Sequence, residues 1–430
     1  MLEYFLKHQD CQFGYVLPRS FLSADQHENT RSGKAKGFYL TEIWDLKDVQ
    51  PLFNVPSCVL IGKKKTLHRP TPFALEGLAY KGRLPKHNLD WEHASPKITK
   101  TPQQFHYATL GKRSAFSTTA SDSGKNLNYY NPLFKQGATI VPRNFFFIEI
   151  LNNPPDLENR IVHILSDPEN KKDGKAPWKE LSLEGSVHAR FLFRTALAKN
   201  VLPFVLIHPP IIVLPAEVNS ENGKINLLTP DQILHLGEYE TAKWFAQAEK
   251  LWKNHKTDSS ERMNLLDRIN FQKGITDQQI NLDYWVIYTG SAKDANSCII
   301  RTKELDKPFI AESKEYYFCT NNLSEAHYLL MFLNSNYANL MIKPFQSRGL
   351  FGPRDIHKKI LEVPLAQYDS CNEKHQKLAA LGAECERKAQ AFITAHGAKD
   401  LSGPKLGNLR LQIRELLKEE LLEADGLLQG

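Results

Sequence analysis

A short basic segment, residues 343–359, has the residue types best suited to binding a phosphate or a base edge. Its long polar side chains are those of Lys343, Gln346, Arg348, Arg354, Lys358 and Lys359. Pro344, Gly349, Gly352 and Pro353 oppose regular helix or strand, so we expect a stiffened loop that enters a helix. Arginine can pair in bidentate fashion with guanine or phosphate, and glutamine with adenine, so the segment is a candidate for DNA binding. A solvated hairpin and a buried salt-bridge node are alternatives that the sequence leaves open.

Motifs for metal, phosphate-loop or hydrolytic chemistry are absent from the sequence. It has no HExxH and no paired CxxC, and its 15 histidines are scattered, so we expect no metal site. It also has no GxxxxGK(S/T) and no GxSxG, and Ser32-Gly33-Lys34 is an incidental fragment of the former. The six cysteines lie far apart and indicate reduced thiols in a cytoplasmic protein. No residue is assigned as catalytic.

The composition is that of a soluble globular protein that can bury a sizeable core. The chain has 430 residues, of which 41% are hydrophobic and 24% charged. That length is enough for about two to three domains. The most apolar stretch, residues 201–214, is broken by prolines, so we expect no membrane helix. A net charge of +7 permits nucleic-acid binding without demanding it.

The elements that must position the basic segment begin with part of an α/β sheet. Short apolar runs predict strands at 13–18, 40–46 and 57–62, with a connecting helix within 20–37. Three strands and one helix cannot cover both faces of a sheet, so we expect the rest of it on another chain or lost. Residues 66–122 are polar and repeatedly interrupted by proline, which is typical of a linker or an extended excursion.

Strand-like and helical patterns alternate in the remainder of the chain. We expect strands at 137–143, 145–150, 201–214, 284–288, 298–301 and 316–319. We expect helices at 191–199, 239–254, 324–341, 355–361, 375–395 and 406–422. Ser324 is the expected N-cap of its helix. These patterns indicate a mixed α/β protein that ends in helices.

Several stretches together resemble adenine-N6 DNA methyltransferases. The stretches 15–22 (YVLPRSFL), 43–46 (IWDL) and 49–61 resemble the closing strands of their catalytic domain. Residues 136–143 (QGATIVPR) and 343–359 (KPFQSRGLFGPR and onward) look like segments of their target-recognition region. The resemblance implies a remnant of a Rossmann-like methyltransferase sheet, then an α+β target-recognition domain and C-terminal helices. The implied divisions are 1–66 for the closing strands, 67–122 for the linker, 123–370 for the recognition domain and 371–430 for the helices.

Two motifs of that family are missing. Its members hold S-adenosylmethionine over a Gly-rich turn, and they grip the flipped adenine with an Asn/Asp-Pro-Pro-Tyr/Phe/Trp loop. The sequence has no such turn, and Asn153-Pro154-Pro155-Asp156 carries aspartate where the stacking aromatic belongs. It also follows the closing strands, which is the wrong order, so we interpret it as a plain proline turn. The chain therefore resembles the second half of a methyltransferase, beginning just after the catalytic loop.

The resemblance also implies roles for two further residues. An aromatic side chain near the penultimate strand packs on the extruded adenine in the family, and Phe53 lies at the matching place. A core phenylalanine in a β-turn is the alternative. Arg143, which ends the second recognition-like stretch, joins the basic segment as a DNA-binding candidate.

These features imply the DNA-recognising part of a site-specific adenine-N6 DNA methyltransferase from a restriction–modification or phage-defence system, inactive as an isolated chain. S-adenosylmethionine would bind only in the complete enzyme, through a partner chain that carries the missing motifs. Double-stranded DNA is the other expected partner, and no membrane is expected. The alternative is a non-catalytic DNA-binding specificity subunit of such a system, with the C-terminal helices as its assembly surface.

Overall fold

The computed structural model describes most of the chain, which divides into two compact units. The described residues are 12–35, 37–64, 74–119, 127–152, 160–169, 175–257, 262–349, 352–353, 355–398 and 403–430. Unit 1 comprises residues 1–131, 291–295 and 336–367, and unit 2 comprises residues 132–290, 296–335 and 368–430.

The secondary structure is mixed. The strands are β1 (Gln12–Pro18), β2 (Phe38–Gln50), β3 (Ser57–Lys64), β4 (Ala74–Arg83), β5 (Ile98–Leu110), β6 (Arg113–Ser117), β7 (Lys135–Gln136), β8 (Ile148–Ile150), β9 (Ile161–Ser166), β10 (Glu184–His188), β11 (Leu192–Thr195), β12 (Val201–Leu202), β13 (Val205–Leu206), β14 (Ile211–Val213), β15 (Ala216–Val218), β16 (Ile225–Leu227), β17 (Tyr284–Thr289), β18 (Ser297–Arg301), β19 (Phe309–Ile310), β20 (Glu315–Thr320), β21 (Arg348–Gly349) and β22 (Gly352–Pro353). The α-helices are α1 (Glu28–Arg31), α2 (Trp91–Ala94), α3 (Arg143–Phe146), α4 (Pro230–His235), α5 (Tyr239–His255), α6 (Leu265–Ile269), α7 (Leu323–Asn334), α8 (Asn336–Ile342), α9 (Glu373–His396), α10 (Gly403–Leu416) and α11 (Lys418–Gln429). Short 3-10 helices occupy Arg19–Leu22, Asp25–His27, Ser95–Lys97, Trp178–Glu180, Ala189–Phe191, Phe271–Lys273, Thr302–Glu304, Lys343–Phe345 and Lys359–Glu362.

A sheet with the strand order β1-β3-β2-β4-β5-β6 forms the framework of unit 1. Neighbouring strands are antiparallel, except for the parallel pair of β2 and β4. One apolar cluster covers part of the sheet, with Ile43, Leu60 and Phe105 from the strands and Phe21 and Leu22 from the 3-10 helix Arg19–Leu22. The three strands predicted from short apolar runs are therefore confirmed as β1, β2 and β3.

The sheet of unit 1 continues through the segment expected to be a linker. Residues 67–122 contain β4, β5 and β6, so the linker prediction is wrong, and this chain itself supplies further strands of the sheet. The predicted helix within 20–37 is also wrong, because the segment forms two 3-10 helices and one α-helical turn. The buried side chain of Arg31 stabilises that segment. Its guanidinium is fully buried and donates to the carbonyl oxygens of Phe21 at 2.8 Å and Ala24 at 2.7 Å.

The basic segment belongs to the same unit as this sheet. Residues 336–367 lie in unit 1, although the expected boundaries put them in a separate recognition domain. Asn128 donates from its side chain to the carbonyl oxygen of Val363 at 2.7 Å, and Asn131 donates to that of Leu361 at 2.9 Å. These bonds join the returning segment to the end of the first 131 residues. The helix expected at 355–361 is the shorter 3-10 helix Lys359–Glu362.

Unit 2 is built from several small sheets around a large apolar core. The sheets have the orders β18-β17-β20-β7, β10-β9-β8, β14-β11-β19, β12-β13 and β15-β16. Aromatic side chains dominate the main core, including Phe145, Phe146, Phe147, Trp244 and Phe245, all of which are buried. The expected strands near 284, 298 and 316 and the expected helix at 239–254 are confirmed as β17, β18, β20 and α5.

Three expectations for unit 2 need correction. The helix predicted at 191–199 is strand β11, which pairs with β14 and β19. The strand predicted at 137–143 is mostly irregular and leads into helix α3. The helix predicted at 324–341 is two helices, α7 and α8, and the cap of α7 is Asn322, whose side chain accepts bonds from the amides of Ser324 and Glu325.

The C-terminal helices α9, α10 and α11 belong to unit 2. Glu386 of α9 accepts bonds of 2.7 and 2.6 Å from the two terminal nitrogens of Arg301, and lies 2.9 Å from His327 Nε2 of α7. These contacts fix α9 against strand β18 and helix α7. The fold is therefore a mixed α/β arrangement with several sheets and C-terminal helices.

Candidate nucleic-acid interface

The turn between β2 and β3 presents Phe53 to solvent in unit 1. Phe53 is 49% exposed and helps to line a cleft of about 250 Å³. Pockets for drug-sized ligands occupy roughly 300–1,000 Å³, so this cleft suits a single small ring system. The structure contradicts the alternative of a core phenylalanine, because almost half of Phe53 is accessible to solvent.

Apolar neighbours of Phe53 fill the space beneath the turn. Leu52 packs against a small cluster that contains Val49 and Leu84. The amide of Leu84 donates to the carbonyl oxygen of Gln50 at 2.7 Å, which ties the end of β2 to the end of β4. Since Val49 and Leu52 face inward, Phe53 is left on the open side of the turn.

A buried carboxylate organises the strand that leads to the turn. Asp45 is 3% exposed, and Arg19 Nε lies 3.0 Å from each of its carboxylate oxygens. The amide of Lys47 donates to Asp45 at 3.1 Å, and Lys47 Nζ lies 3.8 Å from the same carboxylate. Arg19 and Lys47 therefore balance the buried carboxylate of Asp45 beside the cleft, and Lys47 Nζ also lies 3.9 Å from the carboxylate of Asp48.

The thiol nearest to this group is not a nucleophile. Burial, with a smaller contribution from Asp45, raises the pKa of the Cys58 thiol to about 12, although Arg19 acts in the opposite direction. The thiol is protonated at neutral pH, and the thiolate is the reactive form of cysteine. The cleft therefore presents binding groups and no activated cysteine.

Two amide side chains in the cleft were missed by sequence analysis. Gln50 and Asn54 are both exposed and line the cleft on either side of Phe53. A carboxamide can make a bidentate pair with adenine, and an aromatic ring can stack on the base. The sequence did show two amide residues within four positions of Phe53. That proximity indicates a binding site only once the turn is known to be exposed.

The first part of the basic segment is held inside unit 1. Lys343 Nζ lies 2.5 Å from Asp294 Oδ1, and it also donates to the carbonyl oxygen of Lys293. Gln346 is 3% exposed, and its amide nitrogen donates to the same carbonyl oxygen at 3.3 Å. Lys343 and Gln346 thus anchor the segment here, and their contact with DNA stays a prediction.

Lys359 corresponds to the alternative of a buried salt-bridge node. It is 3% exposed and forms an ion pair with Asp355, which also accepts a bond of 3.2 Å from Ser347 Oγ. Lys358, in contrast, is partly exposed and has no ion pair among the described residues. The backbone of Arg348 pairs with Pro353 in the β21–β22 hairpin, whereas the Arg348 side chain and the whole of Arg354 lie outside the described residues.

The Phe53 turn and the basic segment lie at one end of unit 1. The amide of Arg19 donates to the carbonyl oxygen of Pro56 at 2.7 Å, and Ser23 Oγ donates to that of Gln346 at 3.2 Å. The 3-10 helix between these anchors has four residues, or about 8 Å at its usual rise. Residues separated by almost 300 positions in the sequence are therefore brought together.

Arg143 lies in unit 2 and balances a buried acid there. Its Nη2 is 3.5 Å from Glu312 Oε1, and its guanidinium carbon is 5.5 Å from the ring centroid of Phe147. Glu312 is 1% exposed, so Arg143 compensates a charge that has little access to water. The part of Arg143 in DNA binding stays a prediction.

The described residues form neither a metal-binding cluster nor a membrane-spanning helix. In the ranges that the structure describes, no three or more His, Cys, Asp or Glu side chains come together in a way that could hold a metal ion. None of the helices in those ranges has both the length and the apolar character needed to cross a membrane. The Asn153–Asp156 turn singled out in the sequence lies outside the described residues.

A solved restriction–modification enzyme has a similar fold. The structure of the Type IIL restriction-modification enzyme MmeI in complex with DNA matches 99% of this chain, with 9% sequence identity and a TM-score of 0.53. The chain resembles half of MmeI in fold. The type IIG restriction endonuclease BpuSI matches 97% of the chain with 12% identity and a TM-score of 0.27. The chain spans 48% of the length of each protein. No protein-family model and no curated protein matches the sequence.

Proposed function

We propose that this chain is the DNA-recognising half of a site-specific adenine-N6 DNA methyltransferase from a restriction–modification or phage-defence system. The observation that carries the proposal is the similarity in fold between 99% of the chain and half of MmeI, an enzyme whose structure is a complex with DNA. The methyltransferase-like sequence stretches lie in β1, β2 and β3, which are neighbours in one sheet. Unit 1 is then the closing part of a catalytic domain.

The cleft beside Phe53 is the proposed site for the extruded adenine. A base removed from the duplex loses a few kcal/mol of stacking and pairing, which an aromatic face partly restores. Phe53 offers that face, and Gln50 and Asn54 offer donors and acceptors to the edge of the base. The basic segment, anchored at the same end of unit 1, would contact the flanking duplex, with Arg348 at base edges and Lys358 at phosphates.

The described residues of unit 1 do not fit S-adenosylmethionine. Cofactors of this kind bind where a glycine-rich turn joins a parallel strand to the N-terminus of a helix. Within those residues the parallel pair is β2 and β4, and α8, with seven residues, is the longest helix. We propose that the cofactor is held by a partner half that carries the missing motifs. β1 has no neighbouring strand on its outer side among the described residues, and Val16 is 54% exposed there, so this edge is a suitable place for that half to continue the sheet.

Loss of the protein in its source cell tests the function directly. We expect deletion of the reading frame to remove N6-methyladenine from one sequence motif in the methylome and to leave other motifs unchanged. An unchanged methylome in cells that express the protein would refute the proposal. The purified chain should bind S-adenosylmethionine only after it is mixed with its partner half, as measured by calorimetry.

Phe53 provides the test at the level of the site. Base–aromatic stacking contributes about 1–3 kcal/mol, so Phe53→Ala should lower methyl transfer by the reconstituted enzyme about 5- to 150-fold. Phe53→Trp should retain most of the activity. Val55→Ala is the matched control, because Val55 is 42% exposed, lines the same cleft and has no aromatic face. Equal activity of Phe53→Ala and Val55→Ala would contradict a stacking role.

A further inference from the structure

The outer half of the β4–β5 hairpin carries a basic face that belongs neither to the Phe53 cleft nor to the basic segment. The register pairs Lys81 with Thr99 and Gly82 with Ile98, so Lys81 and Arg83 project from the same side of the hairpin. Lys97 lies immediately before β5 and beside Arg83, and it completes the face. We call Lys81, Arg83 and Lys97 the basic face.

These three cations have no counter-ion within the part of the chain that the structure describes. All three are exposed, and none forms an ion pair with another described residue. Asp48 is the acidic neighbour in register with Lys81, but its carboxylate lies 3.9 Å from Lys47 Nζ. Like charges at adjacent positions of a sheet repel one another, so a concentration of unpaired cations favours an external anion.

The opposite side of the hairpin is partly packed against a small apolar cluster, which fixes the hairpin backbone. Tyr80 and Ile98 point to that side and contact the small apolar cluster that contains Val49, Leu84 and Ala94. The loop from 84 to 97 therefore folds over one face and leaves the other in solvent. Cations on a paired hairpin lose less backbone freedom on binding than cations on a loose loop.

The basic face adjoins the Phe53 cleft. Arg83 is the register partner of Gln50 in the parallel pair of β4 and β2, and Gln50 lines the cleft. The hydrogen bond from Leu84 to Gln50 closes the same junction at 2.7 Å. A polyanion that presents a base to the cleft would therefore pass the basic face within one or two strand spacings, or about 5–10 Å.

We propose that the basic face binds phosphates of the DNA strand next to the base that enters the Phe53 cleft. Regularly spaced cations on a rigid hairpin are complementary to a regularly spaced polyanion, and phosphate contacts hold a protein in register on the duplex. The inference rests on the proposed function, because it assigns the backbone-binding surface of the same site. An acidic surface of a partner protein is the competing occupant.

Salt dependence of DNA binding by the full chain tests this assignment. Binding of a fluorescein-labelled duplex of random sequence is followed by anisotropy from about 50 to 200 mM salt, because phosphate contacts are independent of sequence. Each of Lys81→Gln, Arg83→Gln and Lys97→Gln should reduce the log–log slope by about 0.9. For the triple variant, the rise in Kd across this salt range should shrink by about 40-fold relative to the wild type.

Lys100→Gln is the matched control. Lys100 is exposed on the same hairpin and carries the same charge, but its partner is Tyr80, so it lies on the packed side. Its slope should equal that of the wild type. Circular dichroism melting curves of all variants establish that each is folded, since the substituted side chains are exposed.

The outcomes distinguish a failure of the proposed function from a failure of the basic face. A wild-type chain without salt-dependent duplex binding would refute the proposed function itself. A wild-type chain that binds, with unchanged slopes in the three basic-face variants, would refute the basic face alone. An equal loss in Lys100→Gln would show a diffuse charge effect and overturn the assignment. Unchanged DNA binding with impaired association to the partner half would assign the face to the competing occupant.

Discussion

Glu315 gives the sharpest physical prediction from unit 2. It begins strand β20 on the same side as Tyr317, and it is fully buried. Neither carboxylate oxygen has a hydrogen-bond partner among the described residues. Burial raises the pKa of this carboxyl well above its ordinary value, Glu312 adds to the effect, and Arg143 opposes it. The folded protein therefore holds Glu315 in its neutral form at pH values where an exposed glutamate is ionised.

This protonation makes stability fall as pH rises. An unfolded glutamate has a pKa of about 4.3, so between that value and the raised pKa the folded state binds one more proton than the unfolded state. The free energy of unfolding then decreases by about 1.4 kcal/mol per pH unit. The contribution is fully present below about pH 4.3 and is lost as pH rises toward the folded pKa.

Glu315→Gln removes the titration and keeps the size of the side chain. We expect the free energy of unfolding of this variant to fall less steeply with pH than that of the wild type, at pH values between the ordinary glutamate pKa and the raised pKa of Glu315. Its amide group adds buried donors, which costs about 1–3 kcal/mol, so the difference in slope is diagnostic and the absolute stability is not. Urea unfolding at pH 5, 6 and 7 measures the slope of the unfolding free energy against pH. Hydrogen exchange at the amides of β17 and β20 reports the same dependence locally.

Glu217→Gln is the control, because Glu217 is exposed in the same unit. It should retain the slope of the wild type. Identical pH dependence of the wild type and Glu315→Gln would show that Glu315 is ionised in the folded protein. That result would refute the argument from burial, since an unpartnered ionised carboxylate in an apolar core costs far more than a protonated one.

Two further predictions concern unit 1. Arg31→Ala should destabilise unit 1 by about 3–5 kcal/mol in urea unfolding, because the buried guanidinium bonds two backbone carbonyl groups and lies 3.5 Å from the carboxylate of Glu28. Arg348→Ala should weaken binding of the cognate site by about 1–3 kcal/mol in anisotropy measurements, with no such loss on a scrambled duplex. Lys358→Gln should weaken both duplexes alike and reduce the salt slope by about 0.9.

Apolar runs were sufficient to predict the strands that are buried along most of their length. β3 and β17 are examples, since nearly every residue of each is buried or partly buried. The same criterion misread residues 191–199, where a short apolar run has no clear period and was taken for a helix although it forms β11. It also merged α7 and α8, because the extended backbone of Ser335 at the end of α7 has no signal in the hydrophobic pattern.

The basic segment shows that sequence alone does not predict which charged side chains are exposed and which are buried in ion pairs. Lys358 and Lys359 are adjacent and chemically identical, yet one is partly exposed and the other is buried against Asp355. The spacing of four residues between Asp355 and Lys359 permits an ion pair, but only the fold decides which cation turns inward. Phe53 is similar: its type allowed either a core or a stacking role, and the inward packing of Leu52 decided between them.

The failed linker prediction has a physical cause that bears on function. The outer halves of β4 and β5 lack a period of two because one side carries cations and threonines while the other is only partly covered. A strand selected for packing alone would show an apolar face along its length. Sequence patterns are expected to fail where function overrides packing. The hairpin adjoins the Phe53 cleft and carries Lys81, Arg83 and Lys97, and the proposed phosphate-binding role would account for polar residues at positions that packing alone would fill with apolar ones.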